Sequence, residues 1–433
     1  MQQDGNCAYP SSFRSGEAFA QELDISDPLR DYATKFRFPC RPDGRPLIYL
    51  CSHSLGLQPR SVGELMKQEL DNWASLAVEG HFKGKTPWYT YPDHIRPAMA
   101  RLVGAKTDEV TVMNGLTINL HLMTASFYHP TKERYKILID DPTFPSDMYA
   151  LQSQLRLHGY DPDSGLIRMQ PRAGEHTIRI SDIEGLLAER GQEIAFVVWN
   201  GVNFLTGQAF DLPRIVAAVR QQGCAIGFDL AHAAGNIVLK LHDWEPDFAV
   251  WCTYKYLNSG PGAVAACFVH EKHGQNLEIA RMAGWWGNDP ATRFRMQLQP
   301  EFMPQIGAGG WQVSNPPVLA LVPIRASLAL YDEIGMAPLR TKSECLTSYL
   351  LYLLDQFPGG NFEIITPREP AERGCQVSIL VHHRPQELLA ALQAEGIIAD
   401  FREPNVIRVA PVPMYNSFFD VWEFCRIFAS QVR

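Results

Sequence analysis

A chain of 433 residues has room for two or three domains, and 46% hydrophobic with 20% charged residues is the balance of a globular protein with ample core. A formal net charge of −8 without any basic block excludes a general nucleic-acid binder, and no run reaches the ~18 apolar residues of a membrane span. Nine scattered cysteines, odd in number and lacking a Cys-x-x-Cys, argue for reduced thiols in a cytoplasmic protein over a disulfide framework or a structural zinc site.

The opening MQQDGNCAYP carries an acid and has neither a basic start nor an apolar core, so no secretory signal is expected. Residues 1 to about 45 read as irregular, with Pro and Gly spaced throughout. Ser61 to Ala77 places Val62, Leu65, Met66, Leu70, Trp73 and Leu76 on one helical stripe. Asp93 to Val103 predicts a second helix.

From there the pattern alternates. Strands are expected at Glu109–Met113, Tyr135–Asp140, Ile194–Trp199, Cys224–Phe228, Phe248–Cys252 and Ala263–Val269. Helices are expected between them at Leu116–Phe127, Pro145–Leu157, Asp182–Arg190 and Leu212–Gln221, with Ser181 and Glu184 spaced as a capping box. This alternation predicts a mostly parallel sheet covered on both faces. After Pro317 the texture changes. Two long helices meet at Gly335, and short strands (363–365, 376–381, 406–409) then alternate with helices at 385–395 and 416–432, a smaller α+β domain.

The stretch from Ala225 to Gly262 carries the chemistry. One buried-type strand ends in Asp229, with His232 three residues on; another leads into Tyr254-Lys255 and a Ser-Gly-Pro-Gly turn. Strand C-termini are where open α/β sheets bind ligands. A lysine shielded from water there can form a Schiff base with a carbonyl, and a nearby carboxylate suits a pyridinium nitrogen. Alone, such a lysine is usually a surface charge and such an aspartate a turn former. The combination points to pyridoxal phosphate.

Further segments agree: Ser54-Leu-Gly-Leu-Gln-Pro59, Met113-Asn-Gly-Leu-Thr117, Phe144-Pro-Ser-Asp147, Gly284-Trp285, Ser314-Asn-Pro-Pro317, Arg373-Gly-Cys-Gln376 and Ile407-Arg-Val-Ala-Pro-Val-Pro413. From about residue 45 to the C-terminus the chain resembles the kynureninases, in the aspartate-aminotransferase-like superfamily of pyridoxal-phosphate enzymes. The lysine signature alone is diagnostic only of the superfamily; the Ser-Asn-Pro-Pro, Arg-Gly-Cys-Gln and Arg-Val-Ala-Pro-Val-Pro segments are far more specific.

The resemblance implies an α/β protein of the fold type I transferase class, with a seven-stranded type of mostly parallel sheet between helices and a smaller α+β domain. Residues 1–75 would pack with the small domain, 76–317 would form the large cofactor-binding domain, and 318–433 the small domain. It implies Lys255, Tyr254 and Asp229 as catalytic residues. Leu116, Thr117, Phe144, Asp147, Asn200, His232, Trp285 and Asn315 would join them around the cofactor. Asn200 stands where the family often has serine. Arg408, His81, Ser54 and Asn315 would contact substrate, Arg408 through the α-carboxylate that a guanidinium matches bidentately. His53 departs from the family's usual asparagine, which bears on kynurenine versus 3-hydroxykynurenine. The activity implied is hydrolysis of the Cβ–Cγ bond of either compound to alanine and an anthranilate, in tryptophan degradation and nicotinamide-precursor supply. A homodimer with shared sites is implied as well, Trp285 and Asn315 coming from the neighbouring subunit.

Two motifs are decoys. Gly80-His-Phe-Lys-Gly84-Lys85-Thr86 has three residues between its glycines where a P-loop needs four, and His53, His81 and His121 lack metal-ligand spacing. A cysteine desulfurase or selenocysteine lyase would need a nucleophilic cysteine on a mobile loop, whereas Cys345 reads as mid-helix and Cys375 as a strand start. A non-catalytic binding protein is disfavoured by the presence of both Lys255 and Asp229.

Overall fold

The apolar runs between residues 110 and 269 build one sheet. The computed structural model describes residues 9, 12–357 and 360–432; the opening residues on which the absence of a signal was read lie largely outside that range. Its central sheet has seven strands: β1 (Val110–Val112), β2 (Lys136–Asp140), β3 (Leu166–Met169), β4 (Ile194–Asn200), β5 (Ala225–Asp229), β6 (Phe248–Trp251) and β7 (Ala266–Val269), in the order β1-β7-β6-β5-β4-β2-β3. Strands β3, β2, β4, β5 and β6 are parallel, and β7 runs antiparallel to both β6 and β1. Alternate residues serve two cores. Ile137, Phe196, Val198, Phe248 and Val250 pack on one face, and Leu138, Val197, Trp199, Ala249 and Trp251 on the other, the pattern of a sheet covered by helices on both sides.

Strand β3 was not among the expected strands, because Arg168 interrupts its short apolar run. As the edge strand it can turn that side chain to Asp141, 2.7 Å away. The stretch before residue 45 also contains a helix, α1 (Glu17–Ser26), which buries Phe19, Ala20 and Leu23. The capping box at Ser181 does not form. The helix starts earlier, at Ile180 with Arg179 as its N-cap, and Asp182 instead accepts from Nε and Nη2 of Arg172.

Four further helices matter for the site: α2 (Val62–Leu76), α3 (Leu116–Phe127) after β1, α4 (Pro145–Leu157) after β2, and the C-terminal α5 (Phe418–Val432). Beyond the sheet, β8 (Phe362–Ile364), β9 (Val377–Val381), β10 (Asp400–Arg402) and β11 (Val406–Val409) form an antiparallel sheet ordered β8-β9-β11-β10. Phe19, Leu23 and Leu50 from the start of the chain pack with Ile379, Ile407 and Phe424 in one cluster. Asp24 ties the two ends together, its carboxylate accepting the Phe418 and Phe419 N–H groups at the start of α5. Among the described residues no helix is long and apolar enough to cross a membrane.

Candidate active site

Parallel connectivity puts the C-terminal ends of β2, β4, β5 and β6 along one edge, so Asp140, Asn200 and Asp229 are brought together, with Lys255 four residues past β6. Asn200 and Asp229 are direct cross-strand partners. Lys255 Nζ lies 3.0 Å from His232 Nε2. Burial, and after it the lysine, push the His232 pKa well below its ordinary value, so the ring is neutral. An ammonium has only donors, so Nε2 accepts and the proton sits on Nδ1. That Nδ1 is buried without a hydrogen-bond partner.

Asp147, on the first turn of α4, is 2% exposed and neither of its oxygens has a hydrogen-bond donor. Burial, and then the neighbouring Asp229, hold its carboxyl well above the usual range. Asp229 is 5% exposed and has one oxygen capped by Ala231 N–H at 2.6 Å. A buried pair of facing carboxyls calls for a cationic donor between or beside them. A protonated pyridine nitrogen is such a group.

Phe144 is 38% exposed, with its ring centroid 5.8 Å from Lys255 Nζ. It is held edge-on by Phe204 at 5.5 Å. The N-terminus of α3 has Gly115 as N-cap and no side-chain cap, and a Cβ built on Gly115 meets nothing within 4 Å. Thr117 Oγ1 lies 2.9 Å from Ser146 Oγ, joining the first turns of α3 and α4. Uncapped N–H groups, the helix dipole and two hydroxyls form a ready phosphate cradle. An amine, an acidic pair, an aromatic face and an anion cradle thus fit pyridoxal phosphate.

Tyr254 shares a hydrogen bond with Cys252, and burial raises its phenol pKa. Asn200 commits both amide hydrogens, to Asp140 Oδ1 at 2.7 Å and Thr143 Oγ1 at 3.1 Å, leaving only its oxygen for a ligand. Arg408 on β11 is fully buried, donating to Phe204 O at 2.5 Å and to Asp400. Ser54 Oγ reaches the same Asp400 at 3.2 Å. Among the described residues no hydrogen bond, ion pair or ring contact joins His81, Trp285 or Asn315 to this group. His81 is exposed and packs edge-on against Trp88, Trp285 packs on Trp286, and Asn315 is exposed.

Sequence reasoning missed Asp140, Thr143, the Phe204 turn and Asp400, since nothing in their local pattern marks them. The Arg373-Gly-Cys-Gln376 segment is a clasp. Arg373 is fixed by Thr347 and Ser348, Asn236 Oδ1 accepts the Cys375 N–H, and Gln376 bonds the Phe204 carbonyl. Cys375 is buried, with its thiol pushed up to about 12, and Cys345 is buried mid-helix, so neither is a loop nucleophile. Glu109, His242 and His270 also cluster. There, however, the Lys272 N–H donates to His270 Nδ1, and burial lowers the pKa of that ring, so its Nε2 carries the proton of a neutral imidazole and offers no lone pair to a metal. Glu109 is taken up instead by His242 Nδ1 at 3.0 Å and the Glu271 N–H at 2.9 Å.

Fold and site together define a pyridoxal-phosphate enzyme of fold type I. Its backbone is similar to an apo cysteine desulfurase from Thermococcus onnurineus NA1 (TM-score 0.71, 17% identity, covering 89% of this chain and 94% of that one). It is equally similar to a C-DES mutant with glycine covalently linked to the PLP cofactor (TM-score 0.71, 18% identity, 88% and 96% covered). At such identities the likeness is one of fold. In sequence, residues 339–428 match the kynureninase C-terminal domain. The kynureninase of Myxococcus xanthus (strain DK1622) is 52% identical over 424 residues, covering 98% of this chain and 99% of that protein. The kynureninase of Koribacter versatilis (strain Ellin345) is 50% identical over 422 residues, with 98% and 99% covered. The chain belongs to the kynureninase family.

Proposed function

We propose that the chain hydrolyses the Cβ–Cγ bond of kynurenine or 3-hydroxykynurenine, releasing alanine and the corresponding anthranilate. The observation that carries this reading is Lys255, half-buried, set against the buried His232, Asp229 and Asp147 at the C-terminal edge of the sheet, with Arg408 reaching in from the small domain. Pyridoxal phosphate, when bound, supplies an electron sink for charge developing on the amino-acid carbons.

The chain's own residues do the rest. The α3 N-terminus with Thr117 would hold the phosphate, Phe144 would cover the ring, and Asp229 would keep the ring nitrogen protonated. Arg408 binds the α-carboxylate and so orients the Cα proton toward Lys255 Nζ, which removes it. Water adds to the γ-carbonyl of the substrate, and the Cβ–Cγ bond breaks. The Tyr254 hydroxyl, whose raised pKa keeps it protonated, delivers a proton to Cβ. Proton transfers of this kind are worth ~10²–10⁴-fold each.

The division into residues 1–75, 76–317 and 318–433 belongs to this reading, as do a cytoplasmic setting and a homodimer whose second subunit brings Trp285 and Asn315 to each site. The exposure of Phe82, Phe294, Leu298 and Ile306 supports a covering partner. The test is anthranilate release, followed by fluorescence, from both substrates in parallel. Product from wild type and its loss in Lys255→Ala are expected; substantial activity in that variant overturns the assignment. The ratio of kcat/KM values reads out the effect of His53.

A further inference from the structure

We propose that Asp400 is a positioning residue for Arg408, setting its guanidinium so that one edge stays free for the substrate carboxylate, with Arg402 supplying the charge that this carboxylate balances. The inference rests on the reading of Arg408 given above.

Asp400 and Arg408 are direct cross-strand partners on β10 and β11, so the sheet register itself brings carboxylate to guanidinium. Arg408 has five N–H donors in a planar fork. One on Nη2 goes to Asp400 Oδ2 and one on Nη1 goes to Phe204 O. Two acceptors on two nitrogens fix the plane. Of the three N–H groups that remain, the Nε–H is buried without an acceptor in a side chain that is itself fully buried. A buried donor left unpaired is costly, so the edge containing Nε is the one that waits for a ligand.

Asp400 is in turn held from several sides. Its Oδ2 takes Arg402 Nε at 3.1 Å and Ser54 Oγ at 3.2 Å, with His53 Nε2 3.4 Å away, and its Oδ1 takes the Phe401 N–H at 2.9 Å. His53 carries no charge here, because burial, and then Arg408, push its pKa well down. Two arginines against one carboxylate leave a single positive charge, which a monocarboxylate neutralises. Asp400 thus does not fill the substrate's place; it aims Arg408 while Arg402 keeps the pair from being neutral beforehand.

The opposite reading, in which Asp400 blocks Arg408 until substrate displaces it, predicts the opposite sign. Asp400→Asn is tested in the holoenzyme by kynurenine kinetics and by calorimetric binding of L-alanine. The expected result is a rise of about tenfold in both KM and the alanine Kd, with a smaller fall in kcat and partial recovery in Asp400→Glu. A lower KM, or values within twofold of wild type, overturns the proposal. Arg402→Gln, which leaves the Asp400–Arg408 pair in place, is expected to weaken alanine binding about threefold to tenfold, and unaltered binding counts against the charge argument even if Asp400→Asn does not fold. Arg408→Lys separates the two levels. If it leaves KM and alanine binding unaffected, the reading of Arg408 itself is wrong. If it weakens both while Asp400→Asn does not, only this inference falls.

Discussion

Replacing Gly56 by alanine places a methyl group against the backbone that carries Lys255. A Cβ at residue 56 would lie 2.2 Å from Asn258 Oδ1, 2.3 Å from the Lys255 carbonyl oxygen and 2.8 Å from Asn258 Cα. Ordinary contact needs about 3.5 Å, so the Lys255 backbone must withdraw by roughly 1 Å. It cannot withdraw freely. Gly56 N–H donates to Tyr254 O at 2.8 Å, Tyr331 holds Tyr256 O at 2.7 Å, and Asn258 is buried at φ 50° with its amide on Tyr256 O. Overpacking of this kind costs about 1–3 kcal/mol of stability, and a ~1 Å misplacement of a reacting group costs about 10²-fold in rate. We therefore expect Gly56→Ala to lose about a hundredfold in kcat/KM for anthranilate release, with a Tm lower by a few degrees. Gly63→Ala is the control, since a Cβ there meets nothing within 4 Å and the residue lies in α2. If Gly56→Ala keeps kcat/KM within threefold and melts with wild type, the argument that this glycine seats the lysine is refuted.

Two further outcomes follow from buried charge. Lys342 Nζ and Asp27 Oδ2 are 2.7 Å apart with 2% and 1% of their side chains exposed. Lys342→Met should lose about 3–5 kcal/mol in denaturant unfolding, and Asp27→Asn in the same chain should recover much of it; strictly additive losses would contradict this. Burial raises the Asp140 carboxyl from 3.8 to about 6, outweighing the amides of Asn200 and Asn203 that donate to it. Between those pH values the folded state binds a proton that the unfolded state has released, so this residue's contribution to stability falls as pH rises, by up to about 1.4 kcal/mol per pH unit. The stability of Asp140→Asn relative to wild type should therefore increase from pH 4 to pH 6.5, and a decrease would reverse the sign of the argument.

Local chemistry in the sequence determined much of this. The strands ending in Asp229 and leading to Lys255 are continuous apolar runs, and such runs specify strands buried on both faces wherever they fall. Helices 116–127 and 145–157 were legible as the segments that alternate with those runs. The same locality explains the failures. Arg168 hid an edge strand, and α1 was masked by the Pro and Gly around it. At the site, periodicity tells which face a residue occupies, never which distant strand lies beside it. That Asp147 faces Asp229, that His232 lies against the Lys255 amine, and that Asp400 and Phe204 both accept from Arg408 arise only when the sheet order and the docking of the second sheet close those distances. The residue types a site needs are written along the chain; their pKa values, free donors and orphaned acceptors arise from burial and from neighbours remote in sequence, and those exist only in the folded protein.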